Sequence, residues 1–85
     1  MADKQLIIDV RTTVEFSLGH IPNSINIPLD EVPDRVEEIK AMEGHIILCC
    51  ASGGRSGNAT GFLQNCGVDC ENGGGWREVK EKLGL

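Results

Sequence analysis

The chain has 85 residues, the size of one small domain, so we expect a single domain over residues 1–85. Its formal net charge is −5, which argues against nucleic acids and anionic membranes as partners because both require a basic surface. No apolar run reaches the length of a signal-peptide core or a membrane span, so we expect a cytoplasmic protein. A chain this short has little room for a large cavity, so chemistry is expected in a shallow loop site.

The four cysteines do not have the spacing of a metal site. Cys49 and Cys50 are adjacent, Cys66 and Cys70 are four residues apart, and the chain holds only 2 histidines. A structural zinc site uses pairs of ligands with a different spacing, so no metal is predicted. In a reducing cytoplasm, thiol chemistry or simple burial is favoured over disulfides.

The first segments alternate between strand and helix patterns. Residues 6–10 are an apolar run that predicts a buried strand. Thr12 and Glu15 have the spacing of a capping box, which predicts a short helix through about Leu18. Gly19 is predicted to end that helix.

The next segments continue the alternation. Residues 24–27 alternate polar and apolar side chains, which predicts a short strand that Pro28 ends. Pro33 is predicted to open a second helix with Val36 and Ile39 on one face.

The second half of the chain has the same alternation. Residues 45–50 are apolar on both faces, as a central parallel strand should be. A helix that Gly67 ends should follow, and residues 68–70 predict a last short strand. Residues 73–75 predict a flexible glycine loop, and residues 76–83 a terminal helix. The predicted apolar face of the middle helix comprises Ala59, Phe62, Leu63 and Cys66. This alternation predicts an α/β fold with a mostly parallel sheet.

Cys50 lies at the end of the predicted central strand, where sites form in open α/β sheets. Gly53 and Gly54 allow the backbone to turn so that several N–H groups point inward, beside a helix N-terminus. A cysteine in such a nest should have a lowered pKa and react as a thiolate. Arg55 adds a positive charge, and residues 49–68 contain no acidic side chain. We therefore predict that Cys50 is a nucleophile.

Several motifs occur in an order that resembles the rhodanese-like sulfurtransferases, over about residues 6–83. The motifs are Asp9-Val10-Arg11, Glu15-Phe16, Gly19-His20-Ile21-Pro22, Ser24-Ile25-Asn26-Ile27-Pro28, Cys50-x-x-Gly53-x-Arg55-Ser56 and Asn72-Gly73-Gly74-Gly75-Trp76. The resemblance implies a small three-layer α/β fold, with a mostly parallel sheet of four or five strands flanked by helices. Within the family, the chain is similar to the small members that stand alone.

The resemblance also implies a reaction. Cys50 would take a sulfane sulfur from thiosulfate or a persulfide, hold it as a Cys50 persulfide and pass it to a thiol, a protein cysteine or cyanide. No metal or organic cofactor is implied, and Asp9 and Arg11 would support the site. The loop around the persulfide would comprise Ala51, Ser52, Gly53, Gly54, Arg55 and Ser56. Many family members carry Arg where this chain has Ala51, which favours a persulfide over the thiosulfate anion as donor.

The remaining candidate residues have structural interpretations. His20 is expected to pack and bond locally. Cys49 and Cys66 are expected in the core, Cys49 on the face opposite Cys50 because neighbouring strand residues alternate. Cys70 stays open as a thiol that could resolve the Cys50 persulfide. Trp76 is predicted to be a packing anchor.

Two other functions remain open. Cys49 and Arg55 have the Cys-x5-Arg spacing of phosphatases and arsenate reductases, although counting from Cys50 gives a tighter loop that suits a single sulfur atom. The second alternative is a non-catalytic module that binds a partner or carries sulfur.

Overall fold

The computed structural model describes residues 4–85. The strands are β1 (Gln5–Asp9), β2 (Ile25–Asn26), β3 (His45–Cys50) and β4 (Cys70–Gly75). The helices are α1 (Thr13–Ser17), a 3-10 helix (Leu29–Arg35), α2 (Val36–Lys40), α3 (Gly54–Asn65) and α4 (Trp76–Lys82). None of the helices in this part of the chain is long and apolar enough to cross a membrane.

The four strands form one sheet in the order β2-β1-β3-β4, and every neighbouring pair is parallel. The predicted α/β fold with a mostly parallel sheet flanked by helices is therefore confirmed. Parallel strands end at the same edge, so Asp9, Asn26, Cys50 and Gly75 lie together at the carboxyl edge.

A hydrophobic cluster covers each face of the sheet. On one face, Ile8 and Leu48 pack against Leu63 of α3 and Ile39 of α2. On the other face, Ile7, Ile47 and Cys49 pack against Val79 of α4 and against Ile21. Strands buried on both faces require continuous apolar sequence, which is why the runs in β1 and β3 could be recognised.

The first helix begins as predicted. Thr12 Oγ1 accepts a hydrogen bond from the Glu15 amide, and the Glu15 carboxylate accepts one from the Thr12 amide. The predicted capping box is thus present, and α1 ends at Ser17, one residue before the predicted end. The last helix, α4, likewise ends one residue before its predicted end.

The prediction for Pro33 is wrong in detail. Pro33 lies inside the 3-10 helix, and α2 begins three residues later at Val36. The three-residue period of a 3-10 helix places Leu29 and Val32 on one side, and both pack into the cluster beneath α3. Because Leu29 and Val32 are packed in this way, the helical segment begins before Pro33.

The prediction for residues 68–75 is also wrong. The strand is Cys70–Gly75, so the three glycines belong to the sheet and do not form a flexible loop. The register shifts where Leu48 pairs with Asn72 and Cys49 pairs with Gly74, which leaves Gly73 as an extra residue. Glycine has a low strand propensity, so the sequence pattern did not predict a strand at residues 73–75. The glycines suit this strand because its backbone passes close to neighbouring segments of the chain.

The predicted apolar face of α3 is only partly buried. Ala59 and Leu63 lie in the core, but Phe62 is 39% exposed and Cys66 is half-buried at the end of the helix. The prediction that Cys66 is a core residue is therefore wrong.

Gly73 provides a test of this packing. A Cβ atom there would lie 2.6 Å from Val79 Cγ2 and 2.7 Å from Ile47 Cγ2, so Gly73→Ala must displace core side chains. We expect it to lower the free energy of unfolding by about 1–3 kcal/mol, measured by urea denaturation.

Gly61 is the matched control, because no atom of residues 4–85 lies within 4 Å of a Cβ added there on α3. Gly61→Ala should raise the free energy of unfolding by about 0.5–1 kcal/mol, since alanine restricts the unfolded chain. Equal stability of the two variants would contradict the close packing at Gly73.

Candidate active site

The site is centred on Cys50, the last residue of β3. The chain turns through residues 51–53 and enters α3 at Gly54. Gly53 has φ of 105°, a left-handed conformation that side-chain-bearing residues adopt at a cost. This conformation folds the loop back over the end of the strand, so the start of α3 faces the Cys50 sulfur.

The loop also packs against the end of β4. A Cβ atom on Gly53 would lie 3.3 Å from Gly74 Cα, and one on Gly75 would lie 2.9 Å from the Ala51 carbonyl oxygen. Side chains at these positions would push the loop away from the sheet. The glycines of β4 therefore hold the Cys50 loop by close backbone approach.

Hydrogen-bond donors surround the Cys50 sulfur. The Gly53 amide lies 3.0 Å from Sγ, and the Ser56 amide and hydroxyl each lie 3.4 Å from it. Burial raises the pKa of this thiol, but the hydrogen bonds from Ser56, Ser52 and Gly53 outweigh burial and lower the pKa to about 7. These donors converge on Sγ, although Cys50 is only 1% exposed.

A polar network lies behind the sulfur. The fully buried Ser56 hydroxyl lies 2.6 Å from Asn72 Oδ1, and the Asn72 amide also contacts the Gly53 carbonyl and the Gly74 amide. Asn72 thus links the loop to β4. It belongs to the glycine-rich motif, but its sequence position carried no signal for this role.

The Arg55 side chain turns to α1. Its guanidinium binds the Glu15 carboxylate through two contacts of 2.7 and 3.0 Å, and both side chains are 36% exposed. The hydrogen bond from Arg55, with a further one from the Thr12 amide, lowers the pKa of Glu15 to about 2. Sequence reasoning placed Glu15 in a capping box and in a family motif, so its compensation of the Arg55 charge from 40 positions away was missed.

Asp9 and Arg11 form a buried pair beside the site. Arg11 Nη2 lies 2.7 Å from Asp9 Oδ2 and also donates to the Gly19 carbonyl, while the guanidinium lies 4.8 Å from the Trp76 ring centre. Within residues 4–85, neither side chain makes a hydrogen bond to Cys50. They brace the carboxyl edge of the sheet, and Trp76 packs on them.

His20 lies outside the contacts of the Cys50 sulfur. Its Nδ1 lies 2.7 Å from the Phe16 carbonyl oxygen, and its ring stacks on the Phe16 ring with centroids 3.8 Å apart. This is the local packing predicted for His20.

The other buried cysteines are separated from the Cys50 sulfur. Cys49 lies in the cluster on the opposite face, and burial, with the nearby Asp9 charge, raises its pKa to about 12. Cys70 pairs with Ile46 at the far end of β3, about 13 Å along the strand from Cys50 at 3.3 Å per residue. Burial also raises the pKa of Cys70. Neither has the electropositive, accessible setting of a reactive thiol.

Metal ligands do not converge in the part of the chain described. No group of three His, Cys, Asp or Glu side chains lies close enough to hold an ion within residues 4–85.

Comparisons with known proteins agree with this geometry. The model of the rhodanese-like domain matches residues 1–82. A sulfurtransferase of Allochromatium vinosum is 34% identical over 62 residues, covering 73% of this chain and 57% of that protein. The chloroplastic thiosulfate sulfurtransferase 16 of Arabidopsis thaliana is 39% identical over 71 residues, covering 71% of this chain and 59% of that protein. This chain thus spans somewhat more than half the length of these two relatives.

A solved structure has the same fold and similar length. The structure of a rhodanese with anions from E. coli superposes with a TM-score of 0.77 at 31% identity, covering 88% of this chain and 91% of that one. With a family match over nearly the whole chain and the shared architecture, the chain belongs to the rhodanese-like domain family.

Proposed function

We propose that this protein is a sulfurtransferase that carries a sulfane sulfur on Cys50 as a persulfide. The observation that carries the proposal is the environment of Sγ, which has a backbone amide donor at 3.0 Å and a pKa lowered to about 7. A thiolate is the nucleophilic form of cysteine. Membership of a family that includes named sulfurtransferases supports the same function.

The reaction has two displacement steps. In the first, the Cys50 thiolate attacks the terminal sulfur of the donor, forming an Sγ–S bond while the donor's S–S bond breaks. Sulfite leaves if the donor is thiosulfate, and a thiolate leaves if it is a persulfide. In the second step, an acceptor thiolate or cyanide attacks the outer sulfur, and Cys50 leaves as a thiolate. Each step moves one sulfur atom without net oxidation, so no cofactor or metal is required.

The loop is suited to hold the outer sulfur. The Gly53 and Ser56 amides lie 3.0 and 3.4 Å from Sγ, and the outer sulfur would lie about 2 Å beyond Sγ, the length of a sulfur–sulfur bond. Cys50 itself is nearly closed to solvent. The transferred atom would therefore be the one that an acceptor thiol reaches, whether on a small molecule or on a protein cysteine.

The arrangement disfavours the phosphatase alternative. That reaction would require Cys49 as the nucleophile, but Cys49 faces the opposite cluster and its pKa is raised to about 12. Arg55, which would bind the phosphate, is paired with Glu15.

The charges around the loop favour a persulfide donor over thiosulfate. Ala51 supplies no cation, and the Arg55 charge is compensated by Glu15 at 2.7 Å. A dianion such as thiosulfate gains little from this surface, whereas a persulfide carries at most one charge on its terminal sulfur. We propose that the natural donor is a persulfide, free or on a protein.

Mass spectrometry tests the role of Cys50. After incubation with polysulfide, the protein should gain the mass of one sulfur on the Cys50 peptide and lose it when cyanide or thiol is added. Cys50→Ser should abolish the gain, while the matched control Cys66→Ser should retain it. A sulfur found only on Cys66 or Cys70 would overturn the proposed function.

The charge compensation by Glu15 can be tested separately. Glu15→Gln leaves the Arg55 charge uncompensated, so at low salt the KM for thiosulfate should fall roughly two- to fivefold, the scale of an exposed ion pair. The KM for glutathione persulfide should change less, because that donor carries less charge at its reacting end.

The control is Glu38→Gln, which removes a comparable surface pair, with Arg35 at 2.8 Å, remote from the loop. It should leave both KM values unchanged. If Glu15→Gln instead reduced kcat equally for both donors, the pair would serve to brace the loop and would not set donor preference.

A further inference from the structure

The Ser56 hydroxyl lies near three hydrogen-bond acceptors but can donate to one of them at a time. Its oxygen lies 2.6 Å from Asn72 Oδ1, 3.3 Å from the Gly53 carbonyl oxygen and 3.4 Å from Cys50 Sγ. A hydroxyl group has one donor hydrogen and two lone pairs. Only one of these three neighbours can therefore receive the Ser56 proton at a time.

The orientation of the Asn72 amide is fixed by its backbone contacts. The Gly74 N–H can only donate, and it lies 3.0 Å from Oδ1. The Gly53 carbonyl can only accept, and it lies 3.1 Å from Nδ2. These two contacts place Oδ1, which has no hydrogen, towards Ser56. A separation of 2.6 Å between two oxygens requires a proton between them, and only Ser56 can supply it.

The position of this proton determines what the Cys50 sulfur faces. With its proton directed at Asn72, the Ser56 oxygen presents a lone pair to Sγ. That lone pair accepts a hydrogen bond from the protonated thiol and repels the thiolate. The backbone amides of Gly53 and Ser56 then remain as donors to the sulfur.

We propose that Asn72 is a positioning residue that holds the Ser56 hydroxyl proton away from the Cys50 sulfur and thereby keeps that sulfur basic enough to attack. A thiolate becomes less nucleophilic as its pKa falls, so a nest that stabilised the charge too well would slow the attack. The claim that Asn72 tunes the nucleophilicity of Cys50 rests on the proposed function, whereas its control of the Ser56 proton does not.

The hydrogen bonds that lower the pKa of Cys50 include one from the Ser56 hydroxyl. While Asn72 holds that proton, the backbone amides of Ser56, Ser52 and Gly53 are the donors that lower the pKa of Cys50. Removing the Asn72 amide would free the hydroxyl to rotate towards the sulfur and stabilise the thiolate.

The titratable groups near the loop do not contact the Asn72 side chain. They are Asp9 at the end of β1, Arg11 after that strand, Glu15 on α1, Arg55 on α3 and Glu78 on α4, together with the neutral Cys49 thiol on β3. None of them is a hydrogen-bond partner of Asn72 within residues 4–85. Substitution of Asn72 therefore leaves their pairings intact.

The test is a pH titration of thiolate absorbance, which requires no sulfur donor and no access of a reagent to the buried sulfur. The proteins are the unsubstituted chain, Asn72→Ala, Ser56→Ala and the double variant. Each is measured against the same protein carrying Cys50→Ala, so that the difference reports Cys50 alone. Asn58→Ala is the matched control, because Asn58 is an exposed asparagine on α3 outside this network.

Asn72→Ala is expected to lower the Cys50 midpoint by about one pH unit, a tenfold change in the ionisation equilibrium. Ser56→Ala should not raise the midpoint, and adding Asn72→Ala to Ser56→Ala should lower it no further. Asn58→Ala should have no effect. Because Asn72 is exposed, its substitution is expected to preserve the fold, which circular dichroism checks.

Two results would overturn the proposal. An equal effect of Asn72→Ala with and without Ser56 would show that the amide acts only through its contacts with Gly53 and Gly74. A midpoint raised by Ser56→Ala alone would show that the hydroxyl donates to the sulfur in the unsubstituted protein, and that result is decisive even if Asn72→Ala does not fold. Failure of the proposed function would instead appear as the lack of a sulfur adduct on Cys50, a separate measurement.

Discussion

The contact on which the site depends is the close approach of the Cys50 loop to the end of β4. Gly53 lies against Gly74, and the Ala51 carbonyl lies where a side chain on Gly75 would be. This approach turns the backbone so that the Gly53 amide points at Sγ from 3.0 Å. Without it, β3 would end in a cysteine buried in apolar surroundings, whose pKa burial would raise, as happens at its neighbour Cys49.

The two adjacent cysteines show how position alone changes thiol chemistry. Cys49 and Cys50 follow one another on β3, so their side chains point to opposite faces of the sheet. Cys49 meets the cluster of Ile47 and Val79 and has a pKa raised to about 12, whereas Cys50 meets the donors of the loop and has a pKa lowered to about 7. The difference arises because hydrogen bonds lower the pKa of Cys50, whereas burial and the nearby Asp9 charge raise the pKa of Cys49.

In the described part of the chain, the two arginines around the sulfur are paired with carboxylates and not with Cys50. Arg11 is held by Asp9, and Arg55 is held by Glu15, so the loop carries less net positive charge than its sequence indicates. Stabilisation of negative charge at Cys50 therefore depends mainly on backbone amides, whose positions are fixed by the fold. Such fixed dipoles would suit the single sulfur atom of the proposed transfer.

The sequence by itself determined the α/β alternation, the capping box at Thr12, the position of Cys50 at the end of the central strand and the separation of Cys49 from it. These features depend on apolar periodicity and on neighbours in sequence, which the chain displays directly. Only the tertiary structure decided that the β4 glycines form a strand, that Glu15 compensates Arg55 and that Asn72 contacts Ser56. These contacts join residues far apart in the chain, and glycines selected for close backbone approach leave no hydrophobic pattern to recognise.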